Sequence, residues 1–269
     1  MTAPDQVYDA VRDRLSARPL VLLLDVDGTL SPIAPSPESA TVPAPTREVV
    51  RRLATAPDVH VALISGRAAR DAQRMVGVDG IWAIGNHGFE TITPDGDLLS
   101  RPELEPWRER IAEAASVVAK VLEGRDGVLL EDKRWTLSIH FRTAGQDEGE
   151  RLRPEMERIA RDLGLRLTEG KMVFELRPPV KVDKGTASVA LADRLLAGSA
   201  GNALYAGDDR TDEDAFEALR AARAAAVTVR IAPRNDEAPI GTAAEFVLPD
   251  VDAMRAFLER IAADEAVVR

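Results

Sequence analysis

Short apolar runs alternate with stretches of helical periodicity along most of the chain. Leu20 to Asp25 reads as a strand, and Thr46 stands where a helix cap would, ahead of Val49, Val50 and Leu53 on one face. Val59 to Ser65 (VHVALIS) is the next strand, Ala68 to Val76 a helix, and Ile81 to Gly85 a third strand. Further on, Thr186 to Leu196 is helical, Ala203 to Gly207 extended, and Asp212 to Ala222 helical again. Val227 to Ala232 and Glu245 to Leu248 read as strands, and Val251 to Ala262 as a closing helix. This alternation implies a mostly parallel, Rossmann-like α/β sheet with helices on both faces.

The interval from Pro102 to Pro179 keeps a different rhythm. A helix (Trp107 to Leu122) precedes two strands (Gly127 to Glu131, Trp135 to Arg142), then a helix (Glu148 to Leu163) precedes two more (Leu165 to Glu169, Lys171 to Arg177). Strands in hairpin-like pairs with clean alternation suggest an antiparallel sheet covered on one face by two helices. The expected organisation is a core of residues 1–101 and 180–269, interrupted by an α+β cap of residues 102–179. Pro102 and Pro178-Pro179 suit the hinges, and Ser31 to Pro45 (SPIAPSPESATVPAP) is a loop.

With 269 residues, 45% of them hydrophobic, the chain is long enough for one large domain or two small ones. A net charge of −10 argues against nucleic acid or an anionic membrane surface as a partner, while leaving room for a local basic site for a small anion. Without cysteine, neither a disulfide framework nor a thiolate metal site can form. The opening MTAPDQVYDAVRDRL is charged and amphipathic, unlike a signal peptide, and no apolar run approaches a membrane span. The expectation is a soluble, cytoplasmic, monomeric protein.

Each core strand ends in polar or glycine-rich sequence: DVDGT, SGR (Ser65, Gly66, Arg67), GNHG (Gly85 to Gly88) and GDDRTDED (Gly207 to Asp214). In a parallel sheet the carboxyl ends share one edge, where open α/β sheets bind ligands, so four scattered motifs become one pocket. Asp25, Asp27, Asp208 and Asp209 supply hard oxygen ligands that favour Mg2+ over zinc or copper. Strand alternation puts Asp25 and Asp27 on one side, and their mutual repulsion is itself a reason to expect a cation. Ser65, Thr29 and the glycine amides can donate to phosphate oxygens, and Lys184 adds positive charge ahead of a helix. These parts together make a phosphoryl-transfer site. Each has a plainer reading alone: DxDG as a turn, Lys184 as a solvated charge, Asp212 to Asp214 as acids that suit a helix start. The EF-hand pattern fails, because glycine directly follows the second acid and no glutamate stands at the loop's twelfth position.

In this order the motifs resemble those of the haloacid dehalogenase-like phosphatases: DxDGT, then Ser or Thr, then Lys, then an acidic GDD-type cluster. The resemblance implies that Asp25 attacks phosphorus, that Asp27 protonates the leaving alcohol and then activates water, and that Ser65 and Lys184 hold the phosphoryl group. It also implies that Asp208 completes a Mg2+ site with Asp25 and the carbonyl of Asp27. LLLDVDGTL, ISGR, GNHGFE, EDKRWTLSIHFR, GKMVFELRP, DKG and GDDRTDEDAF more closely resemble the trehalose-6-phosphate phosphatases, over nearly the whole chain after Pro19. Phe141 stands where that family often has tyrosine. With no synthase-like region attached, the chain resembles the free-standing phosphatases.

Parity divides the interval's strands into two faces. Trp135, Leu137, Ile139 and Phe141 oppose Thr136, Ser138, His140 and Arg142; Met172, Phe174 and Leu176 oppose Lys171, Val173, Glu175 and Arg177. The charged face is either a solvated surface with crossing ion pairs or a clasp for hydroxyls. The resemblance implies the clasp, with Glu131, Lys133, Arg142 and Glu175 on the distal sugar and Lys171 and His140 as further candidates. It places the loop of Asn86 and His87 near the sugar, while His60 is read as structural. The expected reaction is hydrolysis of trehalose 6-phosphate, a phosphorylated disaccharide, with the cap closing over the core to exclude water. A related disaccharide or pseudo-disaccharide phosphate, or a non-catalytic sugar-phosphate sensor, are the alternatives.

Overall fold

The computed structural model describes residues 2–34, 39–99, 101–170, 172–232 and 241–268. The chain divides into two compact units, Met1–Leu99 with Val182–Arg269, and Ser100–Lys181.

Among the described residues, the first unit holds an eight-stranded sheet. Its centre is β1 (Leu20–Asp25), buried at every position, which is why the sequence there is a continuous apolar run rather than an alternating one. β1 pairs in parallel with β2 (Val59–Ile64) on one side and, on the other, with the strand Asn202–Gly207. A short parallel strand β3 (Trp82–Gly85) follows β2, and an antiparallel pair, β4 (Glu90–Ile92) and β5 (Leu98–Leu99), ends that side. Strand parity splits the core in two. Leu20, Leu22 and Leu24 pack with α1 (Pro4–Leu15), α2 (Ala44–Ala54) and α3 (Ala69–Val76), while Val21 and Leu23 face the opposite layer.

The second unit is a four-stranded antiparallel sheet among its described residues: β6 (Leu129–Asp132), β7 (Leu137–His140), β8 (Arg166–Gly170) and β9 (Val173–Arg177) in the order β6-β7-β9-β8. Its core gathers Leu137, Ile139, Phe141, Phe174 and Leu176 against Ile111 and Val118 of α4 (Arg108–Val121) and Leu152, Met156 and Ile159 of α5 (Gln146–Leu163).

After this unit the first resumes with α6 (Lys184–Leu196), β10 (Asn202–Gly207), α7 (Arg210–Ala222), β11 (Val227–Ile231), β12 (Phe246–Leu248), α8 (Val251–Ala263) and α9 (Glu265–Val268). β10, β11 and β12 extend the parallel sheet beyond β1. α6 and α7 cover the Val21 and Leu23 face, and α8 joins α1 and α2 on the other. No helix among the described residues is long and apolar enough to cross a membrane.

Three local expectations change. Thr46 does not cap α2; the helix starts at Ala44 with Pro45 in its first turn, where a missing amide costs nothing, and Thr46 is buried inside it. Lys184 is the first residue of α6 rather than ahead of it, because Asp183 is the cap and accepts from the Thr186 amide at 2.7 Å. The helix α1 and the hairpin of β4 and β5 are additions to the pattern read from the sequence.

Candidate active site

Asp25 is the last residue of β1, on the parity of Val21 and Leu23, so its carboxylate meets the layer of α6 and α7. Lys184 Nζ donates to Asp25 Oδ1 at 2.8 Å and to Asp212 Oδ1 at 2.9 Å, with both carboxylates and the ammonium nearly inaccessible to solvent. Asp25 Oδ2 is buried and has no hydrogen-bond partner among the described residues.

The turn after β10 supplies the rest. Asp209 caps α7, its Oδ1 accepting from the Thr211 amide at 2.8 Å, the Thr211 hydroxyl at 2.7 Å and the Asp212 amide at 3.1 Å. The helix so started carries Asp212 back toward the strand, where its Oδ2 accepts from the Asp208 and Asp209 amides, both at 3.0 Å. The buried Tyr205 hydroxyl donates to Asp212 Oδ1 at 2.7 Å. Carboxylate oxygens of Asp25, Asp208 and Asp212 all lie within 4.8 Å of one another. Gly28 makes that approach feasible: its φ is +87°, and a side chain there would overlap the Asp208 carboxylate.

The electrostatics follow from burial and like charge. Burial drives the Asp25 carboxyl well above its usual range against the pull of Lys184, and Asp212, Asp208 and Asp209 push the same way. Asp208 is raised to about 8 by burial and by Asp212 and Asp209. Asp212 is raised to about 6, mainly by burial, with Lys184 opposing. For Lys184, burial acts downward, yet Asp209, Asp212 and Asp25 carry it well above the ordinary lysine value. Burial also acts to raise Asp209, but Lys184 and its cap hydrogen bonds hold it below the carboxylate range. Three crowded carboxylates, two of them buried and Asp208 partly so, and an unpartnered oxygen, all hard donors, fit a small divalent cation such as Mg2+.

Asp209 is engaged as a helix cap, and Asp212, which had read equally well as a helix-start acid, joins the cluster with Asp25 and Asp208. Asp27 lies beyond the end of β1, and Arg67 takes its carboxylate with both fork nitrogens, Nε to Oδ2 at 2.6 Å and Nη2 to Oδ1 at 2.7 Å. The repulsion that loads Asp25 comes from the α7 side rather than from Asp27.

The loops after β2 and β3 meet. The Ser65 amide donates to the Ile84 carbonyl, the Asn86 amide to the Arg67 carbonyl and the His87 amide to the Ser65 carbonyl, at 2.9, 2.7 and 3.0 Å. A Cβ on Gly66 would stand 2.6 Å from the His87 ring, so the imidazole seats directly on that glycine. Ser65 is buried, and its Oγ accepts from the Arg67 amide at 3.1 Å. Thr29 is fully buried, and its hydroxyl has no partner among the described residues. Glu90, unnoticed in the sequence, accepts from the Ala69 amide at 2.5 Å and ties the start of α3 to the same loops.

In the second unit, register aligns Glu131, Ser138, Glu175 and Thr168 across the sheet. His140 Nε2 and Glu131 Oε2 are 2.9 Å apart, and Lys133 Nζ lies 3.8 Å from Glu131 and 3.7 Å from Glu175. Arg177, on the same face, adds a contact to Glu175 at 3.7 Å. Arg142 is exposed beyond the end of β7. Lys171 lies outside the described residues.

A trehalose-phosphatase family model matches residues 23–251. The chain belongs to the trehalose-phosphatase family. Among its relatives, a trehalose-phosphate phosphatase of Mycobacterium avium is 35% identical over 252 residues, covering 93% of this chain and 64% of that protein. An uncharacterized glycosyl hydrolase of Mycobacterium tuberculosis is 37% identical over 269 residues, covering 98% of this chain and 20% of that one. The chain thus spans 20% to 64% of the length of these relatives. A crystal structure of a trehalose-6-phosphate phosphatase related protein superposes with a TM-score of 0.76 at 27% identity, covering 90% of this chain and 96% of the other. A haloacid dehalogenase-like hydrolase from Bacteroides thetaiotaomicron, 16% identical, covers 90% of this chain and 98% of its own with a TM-score of 0.61, and shows the shared fold. The trehalose-phosphatase fold here is a haloacid dehalogenase-like core with an inserted α+β unit.

Proposed function

We propose that this chain hydrolyses trehalose 6-phosphate to trehalose and inorganic phosphate. The observation that carries the reading is the Asp25 carboxylate, buried, with one oxygen held by Lys184 and the other without a partner. Asp25 attacks phosphorus while the bond from phosphorus to the sugar oxygen breaks, and Asp27 gives that oxygen its proton. Asp27 then takes a proton from water, whose oxygen attacks the aspartyl-phosphate, releasing phosphate and restoring Asp25. Lys184 offsets charge on the transferring group, and Ser65 with the Gly66 and Asn86 segment orients it. Asp25, Asp208 and Asp212, with the Asp27 carbonyl, would hold Mg2+, which when bound withdraws charge from the phosphoryl oxygens. His87, seated on Gly66, lines the same loops, and Thr29, whose buried hydroxyl has no partner among the described residues, offers a donor to the phosphate.

The sugar is read by Glu131, Lys133, His140, Arg142 and Glu175, with Arg177 steadying Glu175. Their mutual contacts support this: carboxylates and cations fixed at short spacing present acceptors and donors to hydroxyls with little left to order on binding.

Phosphate release is to be measured with Mg2+ across phosphorylated mono- and disaccharides, with Asp25→Asn as control. Trehalose 6-phosphate should lead the panel, and Asp25→Asn should lose at least about a thousandfold in turnover while remaining folded. A flat substrate profile would defeat the trehalose reading; binding of the sugar phosphate with no release would indicate a sensor.

A further inference from the structure

Arg67 does more here than a phosphate contact requires. Its guanidinium meets both oxygens of Asp27 in a planar fork, at 2.6 and 2.7 Å, with only 18% of its side chain exposed. Its backbone is fixed from both sides, the amide donating to Ser65 Oγ at 3.1 Å and the carbonyl accepting from the Asn86 amide at 2.7 Å. Ser65 is in turn tied to Ile84 of β3, and His87 covers the intervening Gly66. The guanidinium is therefore presented by two strand ends at once. Asp27 itself sits on a short turn closed by the Gly28 amide donating to the Ser31 carbonyl at 2.7 Å, and a third of its side chain remains exposed. A turn residue of that kind would otherwise keep its rotamer freedom, and a bidentate arginine is the side chain able to remove it.

We infer that Arg67 is a positioning residue for Asp27, whose contribution depends on how much the departing group needs a proton. This rests on the aspartyl-phosphate reading above. In the first half-reaction a sugar alkoxide is a poor leaving group and must receive a proton as its bond to phosphorus breaks; Asp27 carries it on one oxygen while the other keeps its hydrogen bond from Arg67. A nitrophenolate departs as the anion and needs none. In the second half-reaction water always has to surrender a proton to Asp27, whatever alcohol has left. Loosening Asp27 therefore slows both steps for an alkyl phosphate but only the second for an aryl phosphate.

The test compares wild type, Arg67→Gln, Arg67→Lys and Asp27→Asn in single-turnover and acid-quench experiments with Mg2+. For Arg67→Gln, transfer from trehalose 6-phosphate to Asp25 should fall about a hundredfold, while transfer from p-nitrophenyl phosphate changes within about threefold. Nitrophenol should then appear as a stoichiometric burst, with phosphorylated enzyme accumulating. Arg67→Lys should behave like Arg67→Gln, because an ammonium keeps the charge but not the fork. Asp27→Asn should share the leaving-group pattern, and the Arg67→Gln, Asp27→Asn double variant should lose little more than either single one. Equal losses on both esters with a raised KM would overturn the inference in favour of direct phosphate binding, and so would full recovery by lysine or additive losses in the double variant. If wild type ignores trehalose 6-phosphate, the substrate reading fails separately. Glycerol phosphate then serves as the alkyl ester, and the same contrast still decides the role of Arg67.

Discussion

Lys184 shows what a single side chain can hold together. It is buried with Asp25 and Asp212 on its ammonium and Asp209 at 3.8 Å, so one cation faces three acids before any metal is counted. Lys184→Met keeps most of the stem but leaves those carboxylates uncompensated. Phosphate release should disappear, and urea unfolding should show a loss of about 3 kcal/mol, reduced when Mg2+ is added. Asp25, Asp208, Ser65 and Lys184 were legible in the sequence because each sits at a strand end or helix start that apolar periodicity locates. Asp212 was legible only as an even choice between metal ligand and helix-start acid, and Tyr205 was not legible. Asp212 is four residues past Asp208 and reads like any acid in a first helical turn; its inward direction comes from the cap at Asp209. Tyr205 looks like a core residue of β10, and only its ring contact with Phe216 and its bond to Asp212 show the hydroxyl's task.

At the level of elements, period-two alternation was the reliable signal. It separated the apolar side of β7 and β9, with Leu137, Ile139, Phe174 and Leu176, from the row of Glu131, Ser138 and Glu175. If that row reads sugar hydroxyls, Glu175→Ala should lower kcat/KM for trehalose 6-phosphate by about tenfold or more and leave a small aryl phosphate nearly untouched. Equal losses on both substrates would mean that Glu175 serves the sheet instead. Helix starts were less legible. Proline in a first turn shifts α2 upstream, and an aspartate cap brings Lys184 inside α6. The β4 and β5 hairpin, three and two residues long, offers too little alternation to be recognised.

Across the whole molecule, the two halves of the first unit are joined by contacts between distant parts of the chain. Tyr8 and Arg12 of α1 both donate to Asp264, and the Arg18 guanidinium donates to the Val267 carbonyl. The hydrogen bonds from Arg12 and then Tyr8 hold the Asp264 carboxyl below its usual range. A carboxyl depressed in the folded state adds stability above its unfolded pKa and loses it as the pH falls through the folded one. Asp264→Asn should therefore lower Tm at pH 7, and the gap to wild type should close progressively below about pH 4. Differential scanning calorimetry across pH 2 to 7 would check this, and a gap independent of pH would show that packing rather than charge makes the clasp.

The sequence by itself determined the strand order's chemistry: which polar motifs end which strands, and hence that DVDGT, SGR, GNHG and GDD share one sheet edge. Alternation of buried strands and amphipathic helices is written in side-chain apolarity, and parallel pairing puts all carboxyl ends together. Which carboxylate faces which partner was decided only by tertiary structure. The choice of Asp212 over Asp209 beside Asp25, and of Arg67 as the holder of Asp27, depends on helix entry angles and on two loops touching across Gly66. Those are set by capping hydrogen bonds and close packing between segments far apart in the chain, to which hydrophobic periodicity is blind.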